Sequence, residues 1–265
     1  MGSDRHRLLA ILETLMTRPS LDFGVQSWCF RHFKDNATVA EKAQAIGVKA
    51  VELCAVHAVF DDPEGFKEVT KIYRDAGVRI VSLGVQTFNG ADAEKRWFEC
   101  ASLAGAKHIS AHFKVDTFHT AVPKTAALAE EHGLRVGIHC HGGYMFGGST
   151  DTLDHLIKLG DGHVGVCIDT AWCMQTGPRR GNPVEWVEHF GDKVFGVHYK
   201  DFTFEPNAKW NDVIVGTGNL DLPAFVDALD QVGFQGMAVL EYEADIENPV
   251  PALTQCVEKM RALAN

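Results

Sequence analysis

Long hydrophobic runs are missing from this chain of 265 residues. The longest cover five or six positions, as in Val51 to Val56 with Glu52 inside it, far short of the ~20 apolar residues that a membrane-crossing helix needs. Paired cysteines are missing too. Cys29, Cys54, Cys100, Cys140, Cys167, Cys173 and Cys256 are odd in number, scattered and never spaced Cys-x-x-Cys, which excludes a zinc knuckle or a disulfide framework and fits reduced thiols in a cytoplasmic protein. Positive charge is scarce: 25 Lys and Arg face 35 Asp and Glu, for a net −10, and no stretch concentrates the basic residues. A phosphate-backbone partner is thereby discouraged. A secretory leader is not indicated either, because Glu13 interrupts Leu8 to Leu12 and no small-residue cleavage site follows. That stretch predicts a short amphipathic helix over Arg7 to Met16, within an N-terminal extension covering residues 1–20, and a single domain over 21–265. The sequence is expected to have no nucleic-acid or membrane partner.

What is present in quantity is a repeat. Glycines at 47, 77, 105, 133, 162, 191 and 233 each introduce a short apolar, largely β-branched string, such as Val48 to Glu52, Val78 to Val81 and Leu134 to Ile138. Each reads as a helix ended by a left-handed glycine, a short loop and a buried strand. The spacings are 30, 28, 28, 29, 29 and 42 residues, the size of one βα unit. The outlier of 42 marks one long loop, between His198 and Asp221. With a leading strand at Phe23 to Trp28 and a last helix at about Pro249 to Leu263, the count reaches eight strands and eight helices. That is the arithmetic of one closed α/β (β/α)8 barrel. An open doubly wound sheet would want a glycine-rich phosphate loop after the first strand, where Trp28-Cys29-Phe30-Arg31-His32 stands.

Barrels of this kind carry their chemistry at the C-terminal ends of the strands. Here those ends are Glu52, Gln86, His112, His139 with His141, Asp169, His198 and Glu241. Because side chains two apart share a face, Gly137, His139 and His141 alternate with Val136, Ile138 and Cys140. Gly165, Cys167 and Asp169 alternate in the same way with Val164, Val166 and Ile168. His139, Asp169, His198 and Glu241 are thus expected to converge from four successive strands. Two imidazoles and two carboxylates in a sheltered mouth are costly unless they neutralise something, and one divalent cation would balance both negative charges. The mixed nitrogen and oxygen set favours Mn2+, Co2+, Fe2+ or Zn2+ over Ca2+, with Mg2+ less favoured. His141, His112 and Glu52 are candidates for substrate contact or support. Trp28, Phe30, Trp172 and Trp210 offer apolar faces for sugar C–H surfaces.

The ordered motifs Gly137-Ile138-His139-Cys140-His141-Gly142-Gly143, Ile168-Asp169-Thr170-Ala171-Trp172, Val197-His198-Tyr199-Lys200-Asp201, Val215 to Asp221 and Leu240-Glu241-Tyr242-Glu243 resemble the xylose-isomerase-like TIM-barrel superfamily of sugar (phosphate) isomerases and epimerases. The resemblance spans about residues 22 to 263. It implies one divalent metal ion held by His139, Asp169, His198 and Glu241 and chelating vicinal oxygens of a keto- or aldo-sugar. It also implies a homo-oligomer. Three positions depart from the ketose 3-epimerases: His139 stands where they have a first Glu, Trp172 where they bind substrate with His, and Phe204 where they carry Arg. Lys200 is the candidate electrophile in place of that arginine.

The reading that follows is a metal-dependent sugar or sugar-phosphate isomerase or epimerase, working through a metal-stabilised enediolate, with Glu241, His139 or His141 moving the proton. The alternative is a metal-dependent lyase or dehydratase on a keto-sugar or keto-inositol, similar to inosose dehydratases, with His141 or His112 placed over the leaving oxygen. An abasic-site endonuclease is disfavoured by the net charge. The long loop, with Phe202, Phe204 and Trp210, is expected to cover the substrate.

Overall fold

The computed structural model describes residues 18–141 and 146–264. The helix expected over Arg7 to Met16, and Gly142 and Gly143 of the strand-five motif, lie outside the described residues. The strands are β1 (Gly24–Gln26), β2 (Ala50–Leu53), β3 (Arg79–Phe88), β4 (His108–Phe113), β5 (Arg135–His139), β6 (Val164–Asp169), β7 (Val194–Tyr199), β8 (Asp201–Phe204), β9 (Trp210–Val213) and β10 (Met237–Leu240). Eight of them, β1 to β7 and β10, close into a parallel barrel in which β10 lies between β7 and β1. The helices are α1 (Asn36–Ala45), α2 (Pro63–Asp75), α3 (Lys95–Ala104), α4 (Phe118–His132), α5 (Thr150–Leu159), α6 (Thr170–Gln175), α7 (Pro183–Phe190), α8 (Leu222–Gln231) and α9 (Val250–Ala262).

The glycine repeat does what its spacing implied. Gly105 (φ +71°) and Gly133 (φ +61°) end α3 and α4 in the left-handed conformation, their N–H groups returning to Ala101 O and Ala129 O, and the next strand begins within three residues. Two boundaries differ from the sequence expectation. The leading strand stops at Gln26, because the Gln26 side chain accepts the Trp28 N–H at 3.0 Å and turns Ser27 to Phe30 into a 3-10 helix. After β6 there are two helices, separated at Gly177 (φ +101°) and restarted by Asn182, whose side chain accepts the Val184 N–H ahead of Pro183. The outlying spacing of 42 residues holds β8 and β9, an antiparallel hairpin that pairs Phe202 with Asp212 and Phe204 with Trp210.

The packing separates into two zones. Outward strand residues such as Ile109, Val136, Ile138, Val166, Ile168 and Val197 join the helices in one large apolar core. Inside the barrel the apolar cluster is small, with Cys167, Met237 and Val239 buried and Val81 against them. Much of the remaining interior is polar. No helix among the described residues is long and apolar enough to cross a membrane.

Candidate metal centre

Register brings the strand tips together. Asp169 pairs with His198, His198 with Val239 two residues before Glu241, and His139 with Cys167 two residues before Asp169. All four side chains are buried, and each offers a ligand atom such that these atoms lie within 4.8 Å of one another. The expected convergence from four successive barrel strands is what the backbone produces.

The polar atoms of this group are under-partnered. Both ring nitrogens of His139 and Oδ2 of Asp169 are buried with no hydrogen-bond partner. His139 Nε2 and Asp169 Oδ2 stand 3.5 Å apart. Asp169 Oδ1 is already engaged, accepting the Trp172 N–H at 2.8 Å as the N-cap of α6. His198 Nδ1 lies 2.6 Å from Glu241 Oε2. Buried donors and acceptors are ordinarily satisfied, so this cluster fits a cation ligand set and fits poorly with a self-contained polar layer. Electrostatics agree. Burial and the neighbouring Glu241 charge push Asp169 above the usual carboxylate range. Burial and the His198 charge hold His139 down at about 3, so its imidazole is neutral and able to donate a lone pair. For Glu241, burial is outweighed by Lys200 and His198, which hold it well below the ordinary value.

Around this centre the other candidate residues are sorted by depth. His112, nearly buried, has its ring 5.2 Å from that of His139 and 6.2 Å from that of His141. His141 follows β5 and stacks on Trp172 at 4.0 Å, and Trp172 meets Phe202 at 5.1 Å and Trp210 at 5.3 Å. An aromatic wall therefore runs from α6 to the hairpin. Trp28 is 37% exposed and donates from Nε1 to Glu243 Oε2 at 2.9 Å. Arg31 lies across its ring and donates to the Glu243 carbonyl.

Two expectations shift. Lys200, the candidate electrophile, is fully buried, with Nζ held by Glu243, by Glu241 Oε1 at 3.4 Å and by Asp212 Oδ2 at 3.3 Å. The attraction of these carboxylates outweighs burial and raises its pKa. It ties the end of β10, where Glu241 and Glu243 stand, to Asp212 of β9. Glu52, expected to face substrate, is also fully buried and accepts hydrogen bonds from Gln26, Ser82 and Ser110.

Sequence reasoning missed Glu243, Asp212, Ser110 and Asp201. Asp201 accepts the N–H groups of Gly216, Gly218 and Leu220 and so shapes the loop returning to α8. Parity along β4, with His108, Ser110 and His112 on one face, was a usable signal for Ser110. Asp212 had none, since its position depends on hairpin closure.

A closed parallel eight-stranded barrel with a His-Asp-His-Glu cluster at the C-terminal ends of four successive barrel strands makes this a (β/α)8 barrel whose buried tip residues could hold one metal ion. Residues 40–264 match the family model described as xylose isomerase-like TIM barrel, and the chain belongs to that family. No curated protein sequence matched it. Among solved structures, it is similar to a xylose isomerase domain protein from Planctomyces limnophilus (21% identity, 84% of this chain and 91% of that one, TM-score 0.66). It is also similar to the probable 3-DHS dehydratase AsbF from Bacillus anthracis (16%, 92% and 98%, TM-score 0.69). A D-allulose 3-epimerase from Methylomonas sp. matches over 91% of this chain and 97% of that one, at 13% identity and TM-score 0.71. At these identities the likeness is one of fold.

Proposed function

We propose that the protein is a divalent-metal-dependent isomerase or epimerase of a small carbohydrate bearing adjacent carbonyl and hydroxyl oxygens. The observation that carries this is the buried, under-partnered His139-Asp169-His198-Glu241 cluster at the catalytic end of the barrel. Those four residues would hold one ion of the Mn2+, Co2+, Fe2+ or Zn2+ type. When bound, the ion supplies Lewis acidity that eases removal of a proton next to a carbonyl. Glu241, kept as a carboxylate by Lys200 and His198, is the proton acceptor on one side. His141, stacked on Trp172, would move a proton from the aromatic side. Trp172, Trp210 and Trp28 present flat apolar surface to sugar C–H groups and narrow the access of water.

A second reading, a lyase removing water from a keto-sugar or keto-inositol, is favoured by one feature. The strand-five tip is an imidazole, where a second strand-tip Glu would be needed to pair with Glu241, and the His112 and His141 rings lie on the side of His139. The similarity to a probable dehydratase and to an epimerase is compatible with either.

The test is metal analysis of wild type beside Glu241→Ala, then incubation of the metal-loaded enzyme with keto-sugars and keto-inositols in deuterated water. About one metal per chain, lost in the variant, together with deuterium entering a product that is otherwise of unchanged mass, is expected. Loss of water from the product would transfer the assignment to the lyase. Absence of metal from the wild type would remove the basis of both.

A further inference from the structure

The interior of this barrel contains a charge that packing does not require. Gln26, Glu52, Ser82 and His108 stand at one level on four neighbouring strands, since Gln26 pairs with Glu52, Glu52 with Ser82 and Ser82 with His108. Barrel interiors are ordinarily filled by branched aliphatic side chains, and a fully buried carboxylate is costly unless it is neutralised by its surroundings. Here the surroundings are built for it. Gln26 Nε2 donates to Oε1, and Ser82 and Ser110 donate to Oε2, the latter at 2.6 Å. What remains of Oε1 faces His198, whose Nε2 lies 2.9 Å away in an ion-pair approach, short of hydrogen-bond alignment.

His198 is therefore bracketed by two carboxylates through its two nitrogens. Nδ1 faces Glu241, inside the four-residue cluster, and Nε2 faces Glu52, outside it. An imidazole can ligate through one nitrogen only if the proton is kept on the other, and an acceptor behind the ring both fixes that tautomer and sets the ring's orientation. We propose that Glu52 is a positioning residue that holds the His198 proton on Nε2 and so presents Nδ1 to the cation, an inference that rests on the metal-site reading above. The three donors around Glu52 then have a purpose. They keep the carboxylate in place with one lone pair left for the imidazole.

The experiment uses the whole chain and Zn2+ alone. Affinity is measured by competition with a chelator for wild type, Glu52→Gln and Ser110→Ala, and the imidazole nitrogens of the Zn2+-loaded wild type are observed by 15N NMR. Wild type is expected to bind Zn2+, with His198 attached through Nδ1 and protonated on Nε2. Glu52→Gln is expected to weaken binding by about 10–100-fold. Ser110→Ala removes one of the three donors that hold the carboxylate but leaves Oε1 facing His198, so its affinity should fall by less than that of Glu52→Gln; a purely structural Glu52 would move stability in both variants and affinity in neither. Wild-type affinity in Glu52→Gln, or His198 bound through Nε2, overturns the proposal while leaving the metal site standing. If Glu52→Gln does not fold, the wild-type spectrum decides alone. Failure of wild type to take up Zn2+ overturns the metal reading and this inference with it.

Discussion

His108 occupies room that two glycines leave. A Cβ added at Gly137 would stand 2.8 Å from His108 Nε2, and one at Gly196 would stand 3.0 Å from it, so the ring reaches across the barrel from β4 toward β5 and β7. Its Nδ1 meets Ser82 Oγ at 3.2 Å and its Nε2 has no partner. Burial, reinforced by the His198 and Arg135 charges, lowers its pKa from 6.5 to about 4 against the pull of Glu52. The sign follows from linkage: between these two values the unfolded chain binds a proton that the native state refuses, so stability is full above pH 6.5 and decreases as pH falls toward 4. The loss from this one group approaches ~3 kcal/mol at the acid end. His108→Gln, which cannot be protonated, should remove that part of the pH dependence. Urea unfolding of both proteins at pH 7 and pH 5 checks this, and equal slopes in the two would show that His108 does not contribute.

At the scale of elements, the hairpin is fixed to the barrel by a charge cluster. Lys200 follows β7, Asp212 lies on β9 and Glu241 and Glu243 follow β10, so a single buried ammonium joins three segments. Asp212 also accepts the Glu243 N–H at 3.2 Å, and burial raises its pKa to about 7 against the pull of Lys200. Removing one partner of such a buried set typically costs about 3–5 kcal/mol. Lys200→Met should therefore lower stability by that order in urea titrations and speed amide exchange at Trp210 to Val213 more than in α2. Unchanged exchange in the hairpin would mean that aromatic packing of Phe202 on Trp210 holds it without the lysine. The long loop expected to cover substrate holds this hairpin, and its Phe202 and Trp210 face Trp172. Here the limits of legibility in the sequence are physical. Glycine spacing and strand parity depend on local periodicity, and they delivered the barrel and the meeting of His139, Asp169, His198 and Glu241. The partners that enclose a side chain depend on register between strands and on the hairpin, which no local pattern encodes, so Glu52 and Lys200, read as substrate-facing, are instead engaged in buried polar networks. The Gln26 turn that shortened β1 and the placement of Asp212 likewise depend on contacts between distant segments.

For the whole molecule, the centre is a point of stored repulsion that a cation would relieve. Asp169 and Glu241 are buried together, both ring nitrogens of His139 lack a hydrogen-bond partner, and the chain already carries a net charge of −10. A ligand that binds only the native state stabilises it by mass action, about 2.7 kcal/mol at a hundred times its dissociation constant, which for a protein of this size is roughly 5–10 °C in melting temperature. Asp169→Asn separates the two contributions. Its Oδ1 can still accept the Trp172 N–H that starts α6, so the element survives, while one buried negative charge is lost. In chelator the variant is accordingly expected to melt no lower than wild type, and in Mn2+, Co2+ or Zn2+ it should lose most of the upward shift expected of the wild type. Thermal scans in chelator and in metal, for both proteins, measure this directly. A variant that melts lower in chelator and keeps the full shift in metal would place the ion elsewhere and return Asp169 to the role of a helix cap.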